Sequence, residues 1–443
     1  MTTTDAAASS GPATTYRATI KQLVRSNLTP IWVAGILIRL ILIPFTVHID
    51  AYRIYSRSYV AVSTGHWLEF DSQIVIQLVH NVWFLFIQPL LPHSSSIWSP
   101  TAGVIGVGAQ PADYARFLAY PHLARALFLM KFPYFIADLA TGYILTRFVE
   151  PCWRRRVLAL WLLNPIVIFV SAIFGRHDSL AVCMVMLSAL MALRGRRYLG
   201  MVFLGIGATA RFFPAFLAPF YAFAFRRSKR ELVYLIGGLA GFWLVIEISL
   251  LVLTGTSPTL TLLNRYPHVE YLFDMKLAPG IGGTLFLFPL GYLILLLWFI
   301  DRSSYRPEAY IPIAAAVMLL LFALTHFHPQ YAIWIVPFLV LTMYRDSRLI
   351  AYHVVQMLLL GLFTLQFGTS ATWDLFQPLV GSSLNTLPDP MNIVGAFLPI
   401  DIFLGLVRTL FTGVSLWMAY QILRQSKALF AAGPCELVID EPA

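Results

Sequence analysis

The chain is 443 residues long, 58% hydrophobic and 12% charged, with a mean hydropathy of +0.74. A soluble domain carries about 25% charged residues, so this composition, with repeated apolar runs of bilayer-crossing length, excludes a soluble protein and predicts a polytopic integral membrane protein. The net charge of +10 does not point to nucleic acid, because no basic soluble domain is there to carry it; Lys and Arg sit in short loops, as orientation by the positive-inside rule requires.

Residues 1–28 read as a disordered cytoplasmic tail with a basic flank at Arg17, Lys21 and Arg25. The Ala-, Thr- and Ser-rich start lacks the charged region and directly following apolar core of a secretory signal. The first predicted span covers 30–47. Asp50 follows at once, in His48-Ile49-Asp50-Ala51-Tyr52-Arg53. A carboxylate at the lipid–water boundary is costly to desolvate and tends to have a partner or a task.

Asp50 opens a long loop, 48–119, expected to contain interfacial helices. Its segment 73–91 is apolar and long enough to cross. Counting it as a span would reverse the side of every later basic cluster, so it reads as interfacial or re-entrant. Gln73, Gln77, His80, Asn81 and Gln88 fall partly on one helical face, as an interfacial position expects.

Further spans are predicted at 120–148, 157–174, 179–193, 198–210, 212–225, 232–254, 283–300, 309–325, 329–344, 348–366 and 397–423. The stretch 198–225 carries Arg211 and Pro214 in its middle. It reads either as two broken helices lining a cavity or as a hairpin that does not cross fully. Basic clusters alternate with these spans: Arg147 with Arg154 to Arg156, Arg194 to Arg197, Arg226 to Arg230, Arg302 and Arg306, Arg345 and Arg348, Arg424 and Lys427. With all of them cytoplasmic, the chain crosses about twelve times and both termini lie inside. Residues 29–427 then form one all-α membrane domain, and 428–443 a cytoplasmic tail. Asp50 and nine of the ten histidines fall outside, on the side of the long loops. Cys152, Cys183 and Cys435 have neither metal nor redox spacing, so no disulfide is expected.

The predicted outer face gathers polar chemistry. Arg176, His177 and Asp178 are consecutive between two spans, which suits an anionic or sugar ligand, although Asp178 is equally a good helix N-cap. Arg211 needs an anion such as lipid phosphate, or a route to the interface. His326 and His328 precede Gln330 and Tyr331 at another outer junction. With no adjacent acidic third ligand, hydrogen bonding to a sugar or phosphate is a better reading of the pair than metal. The loop from Asn264 to Lys276 adds cations and aromatics, and Arg53 lies one turn from Asp50. A sugar carried on a lipid phosphate matches this set: its tail in the bilayer, its phosphate on Arg, Lys or His, and a carboxylate taking the acceptor's proton. Asp50 is the candidate base.

Several segments resemble the GT-C class of polyprenyl-phosphate-dependent glycosyltransferases, closest to the α-mannosyltransferases of phosphatidylinositol mannoside and GPI-type assembly. Asp50 with Tyr52 and Tyr55 resembles the acidic first outer loop. Lys131-Phe-Pro133 with Asp138-Leu139, Asn164-Pro165, Gly175-Arg-His-Asp178, Arg211-Phe-Phe-Pro214 and Pro329-Gln330-Tyr331 with Trp334 and Pro337 follow in order. Arg176 and Arg211 stand where the family pattern has Gln and Lys. The resemblance implies a GT-C-like helix bundle, Asp50 as catalytic base, and Arg176, Arg211, His326 and His328 as donor-phosphate or acceptor contacts; the reading of the outer face adds Arg53, His177, Asp178, Lys276, Gln330 and Tyr331 to that set. It implies a polyprenyl-phosphate sugar donor, with mannose favoured, a glycolipid or glycan acceptor, no cofactor, and an extracytoplasmic site in a prokaryotic plasma membrane. A lipid or sugar transporter, or a non-catalytic scaffold of envelope assembly, are the competing readings. Against the transporter, no clear internal repeat is present and the polar residues gather at one face.

Overall fold

The computed structural model describes residues 27–68, 73–101, 111–265, 267–278, 280, 283–302 and 306–426. The two predicted tails, except Asn27 and Leu28, therefore lie outside the described residues.

Almost every predicted span is a helix or a broken helix. The principal ones are α1 Thr29–Leu42, α2 Ile49–Thr64, α3 Ile74–Ile87, α4 Leu123–Thr146, α5 Pro151–Leu162, α6 Asp178–Leu193, α7 Arg197–Ala210, α8 Phe213–Phe225, α9 Lys229–Thr254, α10 Leu287–Arg302, α11 Tyr310–Leu324, α12 Val336–Met343, α13 Ser347–Thr364 and α14 Ile400–Gln425. One antiparallel pair, Lys276–Leu277 with Leu285–Phe286, departs from an all-helical chain.

The breaks have local causes. Proline sits in the first turns of α1, α5 and α8, where its missing N–H costs nothing. Gly65 and Gly255 stop α2 and α9 in the left-handed conformation. Ser228 accepts the Glu231 N–H at 3.1 Å, and the Glu231 carboxylate accepts the Arg227 N–H at 2.6 Å, a reciprocal cap that starts α9. Extended backbone at Arg211 separates α7 from α8, so 198–225 takes the broken-helix form.

α11 is buried on nearly every side and forms the centre of the core, with α14 along it. α6 and α7 pack closely as a hairpin. A Cβ at Gly200 would lie 2.6 Å from the Ser188 carbonyl oxygen, so the glycine sets how near the two backbones come. α9 is the converse of α11: Val245, Ile248, Val252 and Leu253 point outward, exposed. An apolar surface of that extent belongs in lipid.

The molecule is thus a helical integral membrane protein. Among the described residues four helices are long and apolar enough to cross, Lys229–Thr254, Pro307–Leu324, Ser347–Ala371 and Ile400–Gln425. The number rises to six if the pairs bent by 72° at Thr46–His48 and by 49° at Leu163–Asn164 each count as one span. The other predicted spans are shorter helices, or carry buried charges as α4 does at Lys131 and Asp138.

α3 differs from expectation in its orientation. Gln77, His80 and Asn81 are turned into the protein and buried. Gln77 donates to Ser58 Oγ at 3.3 Å and Asn81 Oδ1 at 2.6 Å, and His80 Nε2 lies 2.5 Å from the Tyr134 hydroxyl. Val79, Val82, Leu85 and Phe86 are the exposed side. Uncharged polar groups find partners on α2 and α4, and the apolar face is left for lipid.

Candidate active site

Two backbone turns bring the chemistry together. The first runs from the end of α1 into α2. His48 is the N-cap of α2: its Nδ1 accepts the Asp50 N–H at 3.2 Å, and its ring stacks on Phe174 at 3.8 Å. Asp50 therefore sits in the first turn, where a helix N-terminus favours negative charge. The second turn follows Pro165. A π-helical stretch, Phe169–Phe174, ends at Gly175 with φ +72°, and the N–H groups of Gly175 and Arg176 both reach the Val170 carbonyl.

Lys131 clamps the two turns to each other. Its buried ammonium donates to the carbonyls of Ile43 at 3.2 Å, Ala172 at 2.8 Å and Ile173 at 3.1 Å, and to the Thr46 carbonyl. A Cβ at residue 175 would lie 2.6 Å from Lys131 Cε, so Gly175 is required twice, for its φ and for this contact. Two turns further along α4, Asp138 accepts from Arg39 Nε at 2.6 Å, Ser171 Oγ at 2.6 Å and Trp161 Nε1 at 2.9 Å. Lys131 and Asp138 thus anchor the scaffold beneath the site.

Across the clamp, Asp50 meets the cations. Arg176 Nη1 lies 3.3 Å from its Oδ2, and Arg53 Nη1 lies 3.5 Å from its Oδ1. The Asp50 side chain keeps 25% of its surface exposed, whereas Arg176 keeps 11%. Burial pushes the Asp50 carboxyl up, but Arg176, His48 and Arg53 outweigh it and hold it well below the usual carboxylate range.

Arg176 also faces Asp178, Nε to Oδ2 at 3.9 Å. Asp178 is fully buried. It accepts from Arg211 Nη2 at 2.8 Å and from Trp334 Nε1 at 2.8 Å, so its carboxylate positions Arg211 and does not cap α6. Arg211 lies over the Tyr331 ring at 5.5 Å, and Tyr331 stacks on Trp334 at 4.4 Å.

The cluster holds unspent donors. The Nε atoms of Arg53, Arg176 and Arg211 and both ring nitrogens of His177 are buried with no hydrogen-bond partner among the described residues. Burial and the charges of Arg211, Arg176 and Arg57 hold the His177 imidazole neutral. A neutral imidazole has one donor and one acceptor to offer. Guanidinium groups with free N–H and an adjacent histidine fit a tetrahedral oxyanion; such a buried set calls for a polar partner.

The remaining predicted residues divide. Gln330 is buried beside Tyr331. His328 reaches the cluster's edge, 5.9 Å from Tyr331 between ring centroids. His326 packs on Tyr271 at 4.6 Å, and burial lowers its pKa more than Asp274 raises it. Lys276 stands exposed on the two-stranded pair, and no contact joins it to Asp50 among the described residues. Tyr266, in the same loop, lies outside the described residues. No group of three metal-ligating side chains occurs among the described residues.

His48 and Tyr114 were not singled out from the sequence as site residues. The Tyr114 hydroxyl is pushed up by burial and, to a lesser extent, by the Asp374 and Asp50 carboxylates. The signal for His48 was available: a histidine immediately before a helix start. Tyr114 gave none, because it arrives from a separate helix, Pro111–Leu118. Tyr52 and Tyr55, by contrast, bond away from the site, to the carbonyls of Ile97 at 2.9 Å and Met130 at 2.5 Å.

No family model, curated protein or solved structure matches this chain.

Proposed function

We propose that the chain is a membrane glycosyltransferase of GT-C type, moving a sugar, mannose by preference, from a polyprenyl phosphate to a glycolipid or glycan acceptor. One observation carries this reading: a partly exposed carboxylate, Asp50, shares a cluster with Arg176, Arg53, Arg211 and His177, whose donors exceed the acceptors around them.

The step balances on these residues. Asp50 takes the proton of the acceptor hydroxyl as its oxygen attacks the anomeric carbon. The bond from that carbon to the phosphate oxygen breaks, and the electron pair stays on the phosphate. Attack opposite the leaving group inverts the anomeric centre. Arg176, Arg211 and a His177 N–H hold the phosphate through transfer, where charge-assisted hydrogen bonds stabilise it most. The leaving phosphate is already an anion held by guanidinium groups, so the step needs no metal and no cofactor.

The charge distribution supports about twelve crossings with both termini cytoplasmic. Arg147, Arg154, Arg194 and Arg345 border one cavity at the end of α6 away from Asp178. Asp50 then faces the outside of a prokaryotic plasma membrane.

The test is transfer from a labelled polyprenyl-phosphate sugar to extracted membrane glycolipids by purified protein. Wild type should transfer, and Asp50→Asn should lose at least about 100-fold, the usual worth of a positioned base. Full activity in Asp50→Asn would falsify the assignment of the base.

A further inference from the structure

A cavity of about 1130 Å³ opens at the end of the molecule away from the Asp50 cluster. α6 runs 16 residues from Asp178 to Leu193. At 1.5 Å per residue, about 24 Å separates its two ends, so this cavity is distinct from the Asp50 cluster. Five arginines border it: Arg147 and Arg194 just past α4 and α6, Arg154 in the first turn of α5, and Arg345 and Arg348 around the start of α13.

Orientation in the membrane asks only for cations in loops. Here they converge from four helix ends on one space. Some are already satisfied. Arg345 pairs with Glu150 at 2.9 Å. Asp346 accepts the Arg348 backbone N–H at 2.8 Å and Gln425 Nε2 at 2.6 Å, and its carboxylate is the charge that offsets the Arg348 guanidinium. Arg147, Arg154 and Arg194 form no ion pair among the described residues, and Arg154 Nε is buried without a hydrogen-bond partner. Glu308 is the remaining carboxylate on the lining. Three uncommitted guanidinium groups against one carboxylate leave an excess of two positive charges. Leu190, Leu193, Ile311 and Leu341 supply an apolar wall beside them.

We propose that this cavity binds an anion carrying two phosphate groups. The apolar wall favours a phospholipid of the adjoining leaflet as the source, since basic pockets between membrane helices take such headgroups; a free diphosphate is the other source. The site is independent of the glycosyltransferase reading and stands or falls without it.

The experiment uses the full chain in nanodiscs of phosphatidylcholine, with binding measured for cardiolipin, for phosphatidylglycerol and for inorganic pyrophosphate. Arg147→Gln combined with Arg194→Gln changes two exposed residues, so the fold is retained. Cardiolipin should bind the wild type, and the double variant should bind it about 25-fold more weakly, fivefold per arginine at ~1 kcal/mol each. Arg227→Gln with Arg230→Gln removes the same charge elsewhere and should keep the wild-type affinity. Pyrophosphate binding with the same dependence on the variants supports the site with a soluble source. The proposal is overturned if neither probe binds, if phosphatidylglycerol binds as tightly as cardiolipin, or if the two double variants lose affinity equally.

Discussion

Asp50 poses a difficulty for its own role. A carboxylate held well below the usual range is a weak base, and Arg176 and Arg53 are among the groups that hold it there. The same guanidinium groups are the ones a donor phosphate would draw on. Once Arg176 turns to the phosphate, Asp50 loses part of its stabilisation and its proton affinity rises. Base strength is then tied to donor binding. The sign of the pH effect follows. Asp50 is ionised at every pH above the unfolded carboxylate value near 4, so its pairing stabilises the fold throughout that range and is lost only as pH falls through the lower folded value. The acid limb of kcat/KM, which reports the free enzyme, should therefore lie below pH ~4 in the wild type. In Arg176→Gln that limb should move to higher pH, whatever happens to its height. A limb that stays in place while activity drops would leave Arg176 as a phosphate contact with no hold on the base.

The π-turn Phe169–Phe174 and the bend after α1 show what elements contribute here. Neither makes a catalytic contact, yet each sets where Arg176 or Asp50 begins, and Lys131 ties one to the other. Lys131→Met removes charge-assisted hydrogen bonds worth about 1.5–3 kcal/mol each and leaves buried carbonyls without donors. It should lower thermal stability by about 3 kcal/mol or more. Gly175→Ala forces a Cβ into the left-handed region, costing about 1–2 kcal/mol before the clash with Lys131 Cε is counted. A melting point unchanged by either substitution, measured in detergent, would rule out the clamp. Much of this level was legible in the sequence. Proline marked the break at Pro214, and apolar runs marked the helices, because those signals are local, whereas the 49° break at Leu163–Asn164 interrupts the single span expected over 157–174. The pairings were not legible. Arg39 finds Asp138 across 99 positions and Trp334 finds Asp178 across 156, and no spacing rule connects residues so far apart. The inward polar face of α3 was misread for a related reason: an amphipathic pattern states that two faces differ, not which of them meets lipid.

At the scale of the whole molecule, contacts constrain the path through the membrane. Asp50 touches Arg176, and His48 stacks on Phe174, so residues 48–50 and 174–176 share one end. Two helical passages, α4 and the broken pair Pro151–Leu162 with Pro165–Phe174, lie between them and return the chain to that end. A crossing by α3 without one by α2 would make the passages odd in number and separate Asp50 from Arg176. α3 has 14 residues, a rise of about 21 Å against the roughly 30 Å of a hydrocarbon core. Length and contacts together favour a helix that enters and leaves on one side. The Val47 N–H bonded to the Leu375 carbonyl at 2.9 Å extends the same argument along the chain, placing the turn Trp373–Phe376, and with it the adjoining segment Leu365–Ala371, near the Asp50 end. Cys152 is exposed at the start of α5, at the arginine-rich end. With both ends so marked, sidedness is measurable. In intact cells a membrane-impermeant maleimide should label Ser370→Cys, which is exposed, in a Cys152→Ser background. Cys152 in a Cys435→Ser background should label only after permeabilisation. Labelling of Cys152 from outside would invert the molecule, bring Asp50 to the cytoplasm, and remove the extracytoplasmic donor from the mechanism.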